Sequence, residues 1–283
     1  MFRYYHAGVR CRAPASGTQI IGQGFYQVND SGNGETRFGG GEMSFLEHLE
    51  ELRWRIVKAL AGVIVAMAVC GIFSDWIVNR VILMPSRLTN PPLVLINTIP
   101  YGQITFYMVV IIVAGLVLSS PWILYQVWKF IEPGLLSRER KYISSIVAYT
   151  SACFLGGVAF AYFIMLPYML QFFAVFGTPG IQNMISITEY IGFVLQLVLI
   201  SGLIFELPMA SYFLGRFGIL TPQFMKKYRR HSIVVILIVA AVVTPTTDPF
   251  TMGVFSLPML VLYEISIFVT KIASRKRAAS ATA

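Results

Sequence analysis

Charge is what this 283-residue sequence has least of. Its 22 Lys and Arg and 13 Asp and Glu make up 12% of the chain, about half the share found in a soluble domain. With 56% hydrophobic residues, a globular fold would have too little polar surface to wet its exterior. Cysteine is scarce as well: Cys11, Cys70 and Cys153 share no short spacing, which excludes a disulfide framework and a cysteine-held metal. There are three histidines, no His-Glu-x-x-His, no phosphate-cradling glycine loop, no intramembrane Ser-His pair and no paired intramembrane aspartates. Nothing points to an enzyme, a metal or a cofactor.

Long apolar runs are what the chain has in abundance. Several exceed the ~18 residues that mark a spanning helix, so the fold class is an all-α integral membrane protein. The 14 prolines and 23 glycines do not oppose this, because neighbouring groups satisfy the freed backbone in membrane helices.

Residues 1–42 stand apart. They are rich in Gly, carry Arg3, Arg10, Arg12 and Arg37, and lack apolar periodicity, which reads as a disordered or weakly ordered extension. A native tail, a transit segment and a mis-assigned start ahead of Met43 all remain open. From Ser44 the pattern sharpens. Ser44 and Glu47 fit a capping box, and Phe45, Leu49, Leu52 and Ile56 form one apolar stripe on a membrane-surface helix. His48 is an interfacial polar residue suited to pairing with a nearby carboxylate.

Six spans follow in a membrane domain over 43–272: about 56–78, 104–125, 142–167, 189–215, 232–243 and 251–271, with a basic tail over 273–283. Four prolines between Asn79 and Pro100 limit that connector to extended or short-helical structure. Gly156-Gly157 suits close helix approach. Spans 5 and 6 are short; Ser232–Val243 reaches only ~18 Å against a core of ~30 Å. Such spans need shielding by protein or a thinned bilayer, and one re-entrant hairpin is the alternative.

The basic residues alternate by segment. Twenty of the 22 fall in the N-terminal segment, the connectors after spans 2 and 4, and the tail; only Arg80 and Arg87 fall in the others. The positive-inside rule puts both termini on the cytoplasmic side. Topology and anionic lipid headgroups account for these cations, leaving no call for nucleic acid.

A few polar residues sit where they are expensive. Glu206 lies deep in span 4 with Pro208 two residues on, a carboxylate that costs ~2–4 kcal/mol unless it faces protein or water. Together they suggest a kinked helix lining a wet concavity, or a carboxylate bonded to another span. Glu51 and Glu139, from separate cytoplasmic segments, could grip a guanidinium if they converge; Glu47 and Glu132 read as neutralising their neighbours. Glu264 reads as a capping or snorkelling contact. Asp248, in the turn Thr244-Pro245-Thr-Thr-Asp248-Pro249, reads as holding that turn.

These motifs in this order resemble the TatC family, the core subunit of the twin-arginine protein translocase. The resemblance rests on Phe45-Leu-Glu-His48-Leu-Glu-Glu51-Leu-Arg53-Trp-Arg55 and on Ser120-Pro-Trp-Ile-Leu-Tyr125-Gln-Val-Trp128-Lys-Phe130-Ile-Glu-Pro133, then Glu139-Arg140. It continues through Gly157-Val-Ala-Phe160-Ala-Tyr162-Phe163, Phe205-Glu206-Leu-Pro208, the Thr244–Pro249 turn and Tyr263-Glu264-Ile265. It implies a curved, concave six-helix wall and a receptor for the paired arginines of signal peptides on folded cargo, driven by the proton-motive force. It places signal-peptide binding on Glu51, Glu139 and Phe130, with His48 and Arg53 in the same signature. It places the intramembrane polar site on Glu206 and Pro208 and an outer-side turn on Thr244, Pro245 and Asp248. The implied partners are TatA-like and TatB-like single-span subunits, twin-arginine precursors, anionic lipids and further copies of the chain. The implied location is the bacterial plasma membrane, with thylakoid or mitochondrial inner membranes as alternatives. An ion-coupled solute transporter using Glu206, or a structural scaffold, are the rival classes.

Overall fold

The computed structural model describes residues 45–134, 143–176, 183–244 and 249–281. Helix α1 spans Phe45–Ile72 and runs with little interruption into a short turn of helix, α2 (Ser74–Trp76), and a π-helical turn at Ile77–Ile82. The expected surface helix and first span are therefore one rod, because nothing between Phe45 and Ile72 breaks it: no proline interrupts the run. The capping residue Ser44 lies outside the described residues.

The proline-rich connector does what four prolines allow. It contains α3 (Met84–Arg87) and the strand β1 (Val94–Ile96). Helix α4 (Gly102–Ile131) carries Pro121 inside it, and α5 (Ile143–Phe160) passes through a second π-helical turn, Ala161–Met165, into α6 (Leu166–Val175). Strand β2 (Met184–Ser186) pairs in parallel with β1, Val94 opposite Met184. This small ladder ties the connector after α1 to the start of α7 (Ile187–Phe205), and Thr98 and Ser186 share a hydroxyl bond of 3.1 Å beside it. Gln171 and Asn90 brace the same end through two reciprocal bonds of 3.0 and 2.7 Å.

After α7 come α8 (Leu207–Phe217), α9 (Pro222–Lys227), α10 (Arg229–Val243) and α11 (Pro249–Ala281). Gly218 ends α8 with φ 78°, a left-handed turn that glycine adopts without a Cβ penalty, and Ile219 N–H closes back on the Leu214 carbonyl at 3.0 Å.

Among the described residues, five helical stretches are long and apolar enough to cross a membrane: Leu46–Ile72, Gly102–Ile131, Ile143–Val175, Ile187–Phe217 and Thr251–Arg275. Two expectations change here. The segment expected as span 5 sits in α10, whose 15 residues reach ~22 Å, so it falls below that length. Span 6, expected to be short, is not: α11 is 33 residues long, with Pro258 inside it. The basic tail carries few helix breakers, so it prolongs the helix through Ala281.

The core centres on α7. Tyr190, Ile191, Val194 and Leu197 are almost fully buried there, against Phe106 and Val110 of α4 and Leu166, Met169 and Leu170 of α6. Lipid is as apolar as leucine, so close packing and hydrogen bonds supply the association. Gly157 shows how close: a Cβ there would stand 2.7 Å from the Ser201 carbonyl oxygen of α7, whereas Gly156 faces open space.

Candidate functional site

The N-terminal signature and the end of α4 come together. Glu51 is half-buried on α1; Arg55, one turn on, donates its Nε–H to Glu51 Oε1 at 3.0 Å and also contacts that oxygen through a terminal guanidinium nitrogen. His48 Nδ1 lies 3.8 Å from Oε2. The His48 ring stacks on Phe130 of α4, centroids 4.4 Å apart and planes 14° from parallel. Glu51 Oε2 is buried and has no hydrogen-bond partner among the described residues. Glu51 thus has one oxygen committed to Arg55 and one that its surroundings leave unsatisfied.

Arg53, two residues from Glu51, is exposed and points to a different side of the helix, as the i, i+2 spacing requires. Lys129 and Glu132 pair at 2.6 Å, so Glu132 neutralises a neighbour as expected. Glu139 lies outside the described residues.

Glu206 sits where α7 breaks. It caps α7 with φ −77° and ψ −15°, and α8 begins at Leu207 with Pro208 in its first turn. Proline lacks the N–H that would bond the carbonyl one turn back, so the break follows from sequence. Glu206 is half-buried, within electrostatic reach of Cys153 on α5, and its Oε1 is buried without a partner. A broad apolar groove of about 1170 Å³ opens between α1, α4, α5 and α7, but Glu206 is not among the residues lining it. The expected wet concavity at Glu206 is therefore not this groove.

Thr244 ends α10. Its N–H and its hydroxyl both bond the Ala240 carbonyl, each at 3.0 Å, and it is buried. Pro245 and Asp248 lie outside the described residues. Glu264 of α11 pairs with Arg229 at the start of α10, which ties the two helices instead of snorkelling. Among the described residues no group of three His, Cys, Asp or Glu could hold a metal ion.

Residues 47–258 match the profile of the Sec-independent protein translocase protein (TatC) family. The chain belongs to the TatC family. It is 38% identical over 230 residues to the Sec-independent protein translocase protein TatC of Koribacter versatilis, covering 80% of this chain and 84% of that one. It is 36% identical to TatCy of Bacillus subtilis, covering 88% and 96%, and 33% identical to TatC of Aquifex aeolicus, covering 83% and 98%. A crystal structure of the twin-arginine translocase receptor TatC superposes with a TM-score of 0.71 at 33% identity, over 81% of this chain and all of the other. The chain is thus a multi-pass membrane protein and a translocase subunit of the twin-arginine type, not an enzyme.

Within this TatC-family chain, several working residues carried no assigned role in the sequence. Tyr162 and Tyr190 donate to the Val81 and Ile82 carbonyls at 2.7 and 2.6 Å, satisfying backbone in the first π-helical turn. Gln196 donates to the Val242 carbonyl at 2.8 Å, closing the end of the short α10. Tyr263 accepts from Ser232 and donates to the Met225 carbonyl, both at 2.9 Å. Arg55 was legible: a base four residues after an acid on a helix is the i, i+4 pair.

Proposed function

We propose that this chain is the signal-peptide receptor and core subunit that exports folded precursors across the bacterial plasma membrane. In this reading the chain crosses six times with both termini cytoplasmic, α10 serving as the fifth crossing, in a curved arrangement. Paired arginines dock at Glu51 and Glu139, with His48 and Phe130 shaping the entrance, while Arg53 of the same signature lies on another side of α1. The apolar part of the signal then moves toward Glu206 and the Pro208 break, while the turn with Thr244, Pro245 and Asp248 holds the far side. TatA-like and TatB-like subunits gather on α10 and α11, further copies of the chain associate, anionic lipids screen the basic connectors, and the proton-motive force supplies the energy.

The observation that carries this reading is Glu51 Oε2, buried and without a hydrogen bond beside the His48–Phe130 stack. An unsatisfied carboxylate oxygen gains most from an incoming guanidinium, and exchange with Arg55 keeps the site neutral until cargo arrives. Glu51→Gln and Glu139→Gln are the test, each read by crosslinking to a twin-arginine peptide in membranes. Each is expected to weaken binding about tenfold or more, the scale of a charge-assisted bond. Unchanged crosslinking in both variants, with normal membrane insertion, overturns the assignment. Glu206→Gln is expected to lower export at unchanged peptide binding; the scaffold reading requires it to be silent.

A further inference from the structure

The apolar groove between α1, α4, α5 and α7 is not used by the site above, and its construction is specific. Both π-helical turns line it: Ile77, Arg80 and Val81 from one side, Tyr162 and Phe163 from the other. The Tyr162 hydroxyl donates to the Val81 carbonyl at 2.7 Å, so the two turns are bridged by residues of the groove's own lining. π-helical turns cluster at functional positions because the extra residue opens the helix surface. Along α4 the lining runs from Val110 to Pro121, ~16 Å of helix and close to half of a ~30 Å hydrocarbon core. The groove is as deep as one leaflet.

Its lining is apolar except at one end. Arg80 is the one charged residue among those lining it, and no ion-pair partner for it occurs among the described residues. Asp75, one turn before, accepts from the Tyr107 hydroxyl at 3.1 Å and does not line the groove. Trp76, 61% exposed, lines the groove four residues before Arg80, and tryptophan is enriched where membrane meets water. A leaflet-deep apolar channel topped by a lone guanidinium and an interfacial tryptophan matches a lipid with an anionic head.

We propose that this groove seats one anionic glycerophospholipid of the leaflet opposite the termini, with its phosphate on Arg80 and its acyl chains against the exposed lining residues Phe73, Leu118, Leu155 and Phe163. A transmembrane helix of a partner would fill the same width but bring no anion to the exposed guanidinium of Arg80 at the rim, unless it carried its own acid at that level. The lipid satisfies both ends of the groove at once.

Retained lipid decides the matter. The full chain is reconstituted in vesicles of equal phosphatidylglycerol and phosphatidylcholine, extracted in mild detergent, and weighed intact by native mass spectrometry. One phosphatidylglycerol retained per chain is expected, in preference to phosphatidylcholine. Arg80→Gln is expected to lower that preference about fivefold, while Arg87→Gln, outside this groove, leaves it unchanged. Ala114→Trp, which fills the groove, is expected to abolish retention of either lipid. Equal retention of the two lipids by the unaltered chain overturns the proposal and needs no variant to fold. So does a preference untouched by Arg80→Gln, or an Ala114→Trp chain that keeps its lipid and changes only its self-association.

Discussion

Helix α1 and the α7–α8 pair have the same mean hydropathy over their best windows, yet 11% of the first and 56% of the second is buried inside the protein. Ile64 and Val65 of α1 are 65% and 64% exposed, whereas Leu197 of α7 is fully enclosed. In water such a difference would show in composition, since an exposed face must be polar. In a bilayer both surroundings are apolar, so composition loses its power to separate outside from inside, and packing alone distinguishes them.

The sharpest way to break that contrast is truncation at matched chemistry. Leu197→Ala is expected to lower stability by ~2–5 kcal/mol because a closed cavity forms, and Ile64→Ala by less than ~0.5 kcal/mol. Unfolding of detergent-solubilised protein by increasing dodecyl sulfate measures both; equal losses would show that α1 is packed as tightly as α7. A smaller effect comes from overpacking. Gly157→Leu drives a side chain into the Ser201 carbonyl and Phe205 and is expected to cost ~1–3 kcal/mol, while Gly156→Leu, facing open space, is expected to be near neutral in the same assay.

Smaller still are single hydrogen bonds. Tyr190→Phe leaves the Ile82 carbonyl without its donor at a buried site and is expected to cost ~1 kcal/mol. Trp122→Phe removes the exposed bond to the Lys58 carbonyl that joins α4 to α1, with an expected loss of ~0.5 kcal/mol. If the order of these two were reversed, the α1–α4 contact would carry more of the fold than its exposure indicates.

Five of the six expected spans were legible, because hydropathy and proline placement act locally; the segment expected as span 5 lies in α10, which is too short to count among them. The break at Glu206 followed from Pro208, and the short-helical connector from its four prolines. The length of α11 was not legible, since the basic tail has good helix formers and its continuation depends on no apolar signal. At the candidate site, Glu51 and Arg55 are neighbours on one helix and could be read from spacing. The His48–Phe130 stack could not: it joins α1 to the end of α4 across 82 positions, and only packing of those two rods brings the rings face to face. The groove was equally hidden, because its lining valines look like any lipid-facing valine until two π-helical turns and a tyrosine bridge set them around one hollow.

By itself the amino-acid order determined that this chain lives in a membrane, where its helices begin and break, and which family it belongs to, because transfer energies and proline sterics operate within one turn. Tertiary structure alone decided which apolar faces meet each other, which carboxylate oxygens stay unsatisfied and where a groove opens. Those depend on shape matching between segments distant in sequence, in a solvent that exerts no hydrophobic force between them.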